Sequence, residues 1–260
     1  MNLIKKIGKA VLAHRVTPLN KLICVGSANH AYFIPATYLS GSSICYCVGA
    51  GTDISLDTEL AERYRAQVFI FDPMPYALDH FNGLVRSVKT GERFTADNDA
   101  TGYAYAISAE ALVNITYCAT GVWNEKKTIK FYVPTKDTYA GHSITNLQQT
   151  NAYLEAPVNT LANLMRELGH RHIDLLKIEI EGAEYTVIKN VLTDKLDVKI
   201  ILVEFDEFHH SKGLARLAAV RRIEQSSQKL LNAGYKLAHS TSFYKRTFIR
   251  KDVFEELAKP

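Results

Sequence analysis

The sequence predicts an α/β fold in which helices cover both faces of a mostly parallel, seven-stranded β-sheet. Short apolar runs alternate with segments of helical spacing along most of the chain, the pattern typical of such sheets. The first run of this alternation ends in Gly49-Ala50-Gly51, and a helical pattern follows directly. The last two runs lie so close together that they must pair antiparallel, which predicts a hairpin at the end of the sheet.

Five apolar runs predict the parallel strands, at residues 43–48, 68–71, 115–119, 175–180 and 199–203. Helices are predicted over residues 53–65, 158–168, 183–192 and 214–231, and in a segment that begins near Pro75. Residues 128–132 alternate polar and apolar side chains like an exposed hairpin strand. Residues 134–156 are polar and irregular, which predicts a substrate-side loop or an ordinary surface connection.

The closing strands, at residues 235–238 and 247–249, distinguish between two fold types. Dehydrogenase folds usually continue with further strand–helix units. A mostly parallel sheet that ends in an antiparallel hairpin is the architecture of class I S-adenosylmethionine-dependent methyltransferases, and this Rossmann-like fold is the one that the pattern favours.

Length and composition suit one large domain with a small appendage. The chain has 260 residues, of which 47% are hydrophobic and 22% charged. We predict an N-terminal helical appendage at residues 1–40, the main domain at 41–250 and a tail at 251–260. The net charge of +4 is small and spread out, so no nucleic-acid partner is indicated.

The N-terminal segment alternates basic and apolar residues. Leu3, Ile4, Ile7 and Val11 predict an amphipathic helix that packs on the domain or on a second subunit of a homodimer. A weak membrane-surface contact is the alternative. No apolar run in the sequence approaches the roughly 18–20 residues of a membrane span, and no signal-cleavage pattern follows this segment. The four cysteines form no C-x-x-C pair, which favours a reduced, cytoplasmic protein.

Residues 44–72 contain the most informative pattern, a strand, a glycine turn, a helix and a second strand that ends in an acid. Glycines expose backbone N–H groups at a helix N-terminus, and an acid about 20 residues on suits the two hydroxyls of a ribose. A purely structural turn, and a helix N-cap role for Asp72, are the alternatives. The third glycine of a dinucleotide fingerprint would fall at Ile54, which favours S-adenosylmethionine as the cofactor. The predicted cofactor-binding residues are Val48, Gly49, Ala50, Gly51, Asp53, Asp72 and Pro73.

Acidic residues mark the end of the strand predicted at 175–180. Glu179 and Glu181 would project from one face if the strand persists, and we predict both as catalytic. Capping of the next helix is the alternative, and it is the more favoured role for Glu184. Lys177 lies on the same strand parity and would pair with one of these carboxylates.

Two histidine-containing segments complete the predicted site. His209 follows the fifth parallel strand, and we predict it as a catalytic base, although a histidine pair is more often a solvated loop. His142 and Ser143, in the irregular loop, are predicted to bind the substrate. A metal site from Glu179, Glu204 and His209 is the less favoured alternative, and we predict no metal.

One motif supports a rival function. Tyr185 and Lys189 have the Y-x-x-x-K spacing of short-chain dehydrogenases, which would make the protein an NAD(P)-dependent oxidoreductase. No serine occurs between Asn151 and Tyr185, so a solvent-side pair on a helix explains the spacing better. A non-catalytic, cofactor-binding partner module is a second rival.

The sequence resembles the FkbM-type methyltransferases over roughly residues 43–250. The resemblance lies in GAGTDISLDTELAERY, VFIFDPMP, ATGVWNEKKTIKFYVP, IDLLKIEIEGAEYTVIKNVL and IILVEFDEFHH, in this order. It implies S-adenosylmethionine as cofactor and O-methylation of a sugar, glycan or natural-product hydroxyl. Because such a hydroxyl is a weak acid, we expect a base such as His209 or Glu181 to remove its proton. Two departures stand out: Cys47 replaces an acid often found before the glycine turn, and Glu179 replaces the usual aspartate of the most specific block.

Overall fold

A computed structural model of the protein describes residues 15–97, 102–134, 141–146 and 149–259. The strands of the described chain are β1 (Leu22–Val25), β2 (Tyr32–Pro35), β3 (Ile44–Val48), β4 (Gln67–Phe71), β5 (Ile115–Cys118), β6 (Gly121–Val122), β7 (Lys127–Tyr132), β8 (Tyr153–Asn159), β9 (Ile173–Ile178), β10 (Val198–Glu204), β11 (Tyr235–Ser240) and β12 (Lys245–Arg250). The helices are α1 (Ser55–Tyr64), α2 (Pro75–Thr90), α3 (Ala109–Leu112), α4 (Leu161–Glu167), α5 (Glu184–Thr193), α6 (Glu207–His210), α7 (Gly213–Asn232) and α8 (Lys251–Leu257).

Seven strands form the central sheet, in the order β11-β12-β10-β9-β3-β4-β5. All neighbours from β10 to β5 pair parallel, whereas β12 pairs antiparallel with both β10 and β11. The structure therefore confirms the predicted mostly parallel sheet with its C-terminal hairpin. The chain order reverses between β3 and β9, and such a switch point opens a crevice at the carboxyl ends of the strands.

The core lies in two layers because successive strand residues point to opposite faces of the sheet. In β3, Cys45 and Cys47 pack with α1, α2 and α8, whereas Tyr46 and Val48 pack with α4, α5 and α7. All four side chains are fully buried. The predicted cover of helices on both faces is confirmed.

The segment before the main sheet differs from the predicted helical appendage. Residues 22–35 form the antiparallel hairpin β1–β2, in which Leu22 pairs with Pro35. The hydroxyl of Thr247 donates to the Phe33 carbonyl at 2.9 Å, which ties this hairpin to β12. The predicted amphipathic helix at the start of the chain lies mostly outside the described residues. At the other end, residues 251–257 of the predicted tail form α8.

Two further boundaries differ from the prediction. The fourth parallel strand ends at Ile178, two residues earlier than predicted, and Glu181 has a positive φ of 53°. Glu179 and Glu181 therefore do not project from one strand face. The irregular loop ends earlier, because β8 pairs with β7 from Tyr153 onward and includes the first residues of the helix predicted at 158–168.

A separate three-stranded sheet, in the order β6-β8-β7, follows β5 in the chain. Its residues Gly121, Val122 and Phe131 face the crevice at the carboxyl ends of the strands. None of the helices in the described residues is both long and apolar enough to span a lipid bilayer.

Candidate functional site

A cavity of about 220 Å³ lies at the switch point of the sheet, between the ends of β3, β4 and β9. All of the predicted cofactor-binding residues line it: Val48, Gly49, Ala50, Gly51, Asp53, Asp72 and Pro73. Glu179, Glu181 and His142 line it as well. These residues thus converge at one edge of the sheet, and their roles toward a ligand stay predictions.

The turn after β3 needs glycine at its first position. Gly49 has φ +90°, and a Cβ there would lie 1.8 Å from the Glu179 carbonyl oxygen, so backbone passes against backbone at this point. Gly51 also has positive φ, but a Cβ there would meet nothing within 4 Å. Gly49 is therefore needed for the close approach of two strands, whereas Gly51 leaves open space in the lining of the cavity.

Asp72 holds this turn in place. Its Oδ2 accepts hydrogen bonds from the backbone N–H groups of Ala50 at 2.9 Å and Gly51 at 3.1 Å. Its Oδ1 accepts from Met74 at 2.9 Å, just before α2. Burial raises the pKa of Asp72, although these three N–H groups favour the charged form. The carboxylate thus fixes the start of α2, as the predicted capping role requires. It also lies in the cavity wall, where the predicted ribose contact would place it.

Asp53 joins the glycine turn to the N-terminal hairpin. Its Oδ1 accepts from the backbone N–H of Ser55, the first residue of α1, at 2.9 Å, and so satisfies one of the free N–H groups at the start of this helix. Its Oδ2 accepts from the hydroxyl of Ser27 at 2.6 Å, in the loop between β1 and β2. The loop that carries His30 is therefore anchored to the start of α1.

A chain of charged groups lies beside the glycine turn. The ammonium of Lys177 donates to the Gly49 carbonyl at 2.5 Å and lies 3.4 Å from Glu179 Oε2. The other carboxylate oxygen, Oε1, lies 2.9 Å from His30 Nδ1. Burial disfavours the Glu179 charge, yet the nearby Lys177, Lys245 and His30 hold its pKa well below the usual value. Burial likewise opposes the charge of His30, but Glu179 raises the pKa of this imidazole above 6.5.

A second acidic group lies on the other side of β9. Glu181 Oε2 is 2.9 Å from His210 Nε2, and the Glu181 backbone N–H donates to Asp206 Oδ2 at 3.0 Å. Asp206 also lines the cavity, and burial together with the charge of Glu184 raises its pKa well above the usual value. Glu184 accepts from the backbone N–H groups of Ile180 and Gly182, so its predicted structural role at the start of α5 matches its contacts.

Two of the predicted residues do not line the cavity. Ser143 donates its hydroxyl to the Glu181 carbonyl at 2.8 Å, and so it supports the loop rather than facing a ligand. His209 packs edge-on against Tyr244 and lies 3.3 Å from Glu204, with its side chain 39% exposed. In the four-residue helix α6 the neighbouring His210 contacts Glu181 instead, because adjacent helical residues point in different directions.

Glu204, Asp206 and His209 lie close enough to share a metal ion, with their ligand atoms within 4.8 Å of one another. This set differs from the one considered from the sequence, which contained Glu179 in place of Asp206. The ammonium of Lys245 lies 2.7 Å from Glu204 Oε2, so a cation already neutralises that carboxylate.

Sequence reasoning missed His30 and Tyr76, and it ranked His210 below His209 as a catalytic candidate. His30 lies in the short hairpin β1–β2, for which four-residue strands give little periodic signal. Tyr76 lines the cavity from the first turn of α2, and its ring lies 5.1 Å from that of His142. The position of Pro75 could have indicated that the start of this helix faces the ligand crevice.

Comparison with known proteins supplies a family. The sequence model of the methyltransferase FkbM domain matches residues 48–237. No curated protein matches the chain. The crystal structure of methyltransferase FkbM from Methylobacillus flagellatus KT is similar, with 13% sequence identity and a TM-score of 0.45. The match covers 91% of this chain and 49% of that one, so the chain spans about half the length of the solved relative.

The family match includes the elements that build the cavity. It begins at the last residue of β3, just before the glycine turn, and contains β4, β9 and β10, whose ends hold Asp72, Glu179 and Asp206. Because the matched residues, 48–237, make up well over half of the chain, the protein belongs to the FkbM methyltransferase family.

Proposed function

We propose that the protein transfers a methyl group from S-adenosylmethionine to a hydroxyl group of a sugar, glycan or related natural product. The observation that carries the proposal is the cavity at the switch point, where the glycine turn after β3 meets the acid after β4. Family membership supports methyl transfer as the activity; the activity of this chain, its donor and its acceptor are what we propose.

The residues of the cavity fit the proposed cofactor. A carboxylate offers about four acceptor positions, and three backbone N–H groups already use Asp72, so about one position remains for a ribose hydroxyl. The bidentate contact with both hydroxyls, expected from the sequence, would require one backbone contact to be released. Open space beside Gly51 leaves room for a nucleoside next to the turn.

Charge in the cavity suits a sulfonium. Asp53, Asp72, Glu179, Glu181 and Asp206 contribute acidic groups to the lining, while the Lys177 ammonium is bound to Gly49 and Glu179. When bound, S-adenosylmethionine supplies an electrophilic methyl group on a positively charged sulfur. The chain's own residues have to orient an acceptor, exclude water from it and remove its proton.

The same lining suits a neutral, hydroxyl-rich acceptor. Carboxylates such as Glu181 accept hydrogen bonds from hydroxyls, and Tyr76, Phe131 and Ile144 give apolar surface on which a sugar ring or a natural product can pack. A phosphorylated acceptor suits this lining less well, because its charge would meet these carboxylates while the Lys177 ammonium in the described lining is already engaged.

A ligand titration separates this proposal from its rivals. The melting temperature of the purified protein is measured with S-adenosylhomocysteine and with NADH, since a ligand that binds the folded state raises it. We expect S-adenosylhomocysteine alone to stabilise the protein. Stabilisation by NADH alone would support an oxidoreductase instead.

Methyl transfer is then measured directly, with methyl-labelled S-adenosylmethionine and panels of neutral glycans and hydroxylated natural products. We expect label in an acid- and base-stable ether on one class of acceptor. Binding of S-adenosylhomocysteine without transfer to any acceptor would support a non-catalytic partner module.

A further inference from the structure

His30 brings the N-terminal hairpin β1–β2 into the lining of the cavity. It lies in the loop between β1 and β2, outside the residues 48–237 that the family model covers. The contacts that fix this loop include a hydrogen bond from Ser27 to Asp53 at 2.6 Å and one from Lys245 Nζ to the Asn29 carbonyl at 3.2 Å. The imidazole is therefore held at the cavity by the described structure, although it comes from the N-terminal hairpin.

The contact between His30 and Glu179 defines which ring nitrogen carries the proton. Nδ1 lies 2.9 Å from Glu179 Oε1, and Glu179 is charged, so the neutral imidazole keeps its proton on Nδ1. Nε2 is then the basic nitrogen, and within the described residues no hydrogen bond occupies it. A carboxylate that orients a histidine in this way is the arrangement used to remove protons from weakly acidic hydroxyls.

The other candidate bases are less suited to this step. His209 lies outside the cavity lining, and the Nε2 of His210 is already bonded to Glu181. Asp206 favours its protonated form, because burial and its acidic neighbours disfavour the charge. His30 itself lines the cavity and has a carboxylate partner at hydrogen-bond distance, with Nδ1 2.9 Å from Glu179 Oε1.

We propose that His30 is the general base of the methyl transfer and that Glu179 is its positioning residue. Nε2 accepts the proton of the acceptor hydroxyl while the oxygen forms its bond to the methyl carbon. The carbon–sulfur bond breaks in the same step, and its electron pair neutralises the sulfonium. This inference rests on the proposed function, since it requires a hydroxyl acceptor and a sulfonium donor.

The charges around His30 set the expected pH dependence. Glu179 and Asp53 raise the pKa of His30, burial and Lys177 lower it, and the net value lies above 6.5. Lys245 is bound to the same loop through Asn29. The base works when it is unprotonated, so kcat should fall as the pH drops through the raised pKa of His30.

The test compares His30→Asn with His172→Asn. His172 is a matched control, because it also pairs with a carboxylate, Asp174 at 3.3 Å, but at the opposite edge of the sheet. We expect His30→Asn to lower kcat by about 10²-fold or more and to remove the fall of kcat at acidic pH. The calorimetric Kd for S-adenosylhomocysteine should stay unchanged. His172→Asn should match the wild type in all three measurements.

A second readout needs no cofactor. ¹⁵N NMR of the histidine rings should show His30 as the Nδ1–H tautomer, and Glu179→Gln should lower its pKa. An Nε2–H tautomer would overturn the proposed pair of His30 and Glu179, and so would a His30→Asn variant that loses less than about tenfold in kcat. In either case, methyl transfer by the wild type would still support the proposed function. A His30→Asn variant that mainly loses affinity for S-adenosylhomocysteine would overturn the proposed pair too, because His30 would then be a cofactor ligand. A wild type that methylates no hydroxyl would overturn both proposals.

Discussion

Cys47 and Lys177 lie directly opposite each other in the parallel pairing of β3 and β9. Cys47 stands where many class I methyltransferases carry an acid, and its neighbour in the adjacent strand is a lysine that is only 3% exposed. Counter-charges come from Glu179, 3.4 Å away, and from Asp57, which is fully buried at the start of α1. Asp57 and Glu179 both act electrostatically on Lys177 and raise its pKa although burial opposes the charge. The glycine turn is thus held by a buried cation with two acidic neighbours.

Removal of this cation should destabilise the protein strongly. We expect Lys177→Met to lower the free energy of unfolding by about 3–5 kcal/mol, because it removes the largest counter-charge of buried Glu179 and the cation beside buried Asp57. The measurement is urea denaturation. Lys126→Met is the control: Lys126 pairs with Glu167 at 2.8 Å on an exposed surface, and its loss should cost less than about 1 kcal/mol.

A double variant isolates the electrostatic part. Lys177→Met with Glu179→Gln should be more stable than the sum of the two single effects, by about 0.5–3 kcal/mol, because the second change removes one of the charges that the first leaves unpaired. Strictly additive effects would mean that Lys177 acts through packing alone.

The two glycines of the turn should respond differently to the same change. Gly49→Ala forces a Cβ to within 1.8 Å of the Glu179 carbonyl, so β3 and β9 must separate and the melting temperature should fall sharply. A Cβ at Gly51 meets no atom within 4 Å, so Gly51→Ala should cost only the strain of its positive φ of +54°, a smaller loss than in Gly49→Ala. It should also lose affinity for S-adenosylhomocysteine, because the new Cβ enters the open space of the cavity. Differential scanning fluorimetry and calorimetry measure the two effects. Equal loss of stability in both variants would contradict the distinction.

Asp72 should contribute to the fold before any ligand binds. Asp72→Asn replaces one acceptor oxygen by an N–H₂ group, which cannot accept the hydrogen bonds of Ala50 and Gly51 or that of Met74. We expect a loss of about 1–3 kcal/mol in unfolding free energy and weaker binding of S-adenosylhomocysteine. Asp79→Asn, at an exposed position of α2, should change stability by no more than about 0.5 kcal/mol. An Asp72→Asn variant as stable as the wild type would show that the turn does not depend on these contacts.

The strands of the main sheet were predictable because each is a buried apolar run between polar turns. The cofactor-side residues followed from them, since the carboxyl ends of neighbouring parallel strands meet at one edge. The hairpin β1–β2 was missed because its four-residue strands sit in a segment without a clear period, and His30 was missed with it. Which of the adjacent residues His209 and His210 points toward Glu181 depends on the orientation of the single turn of α6. The residue types alone do not determine that orientation. Tyr185, predicted on the solvent side, instead stacks on Phe205 with ring centroids 5.2 Å apart.

The buried pair of Glu184 and Asp206 should make stability depend on pH. Burial raises the pKa of Glu184 from 4.5 to about 7, and it also raises the pKa of Asp206. Between pH 4.5 and about 7, the folded protein therefore holds a proton on Glu184 that the unfolded chain has released. The unfolding free energy should therefore fall as pH rises through this window, by at most about 1.4 kcal/mol per pH unit from this group.

Glu184→Gln should remove this dependence of the unfolding free energy on pH, and the glutamine should keep the local hydrogen bonds. The amide oxygen still accepts from the backbone N–H groups of Ile180 and Gly182, and the amide N–H₂ group can donate to Asp206, which no longer faces a second charge. We expect a flatter profile of unfolding free energy between pH 4.5 and about 7, and a variant more stable than the wild type above that range. Urea midpoints across the window measure both, with the exposed Glu110→Gln as control. If the profile of Glu184→Gln matches that of the wild type, Glu184 does not bind the proton in the folded state.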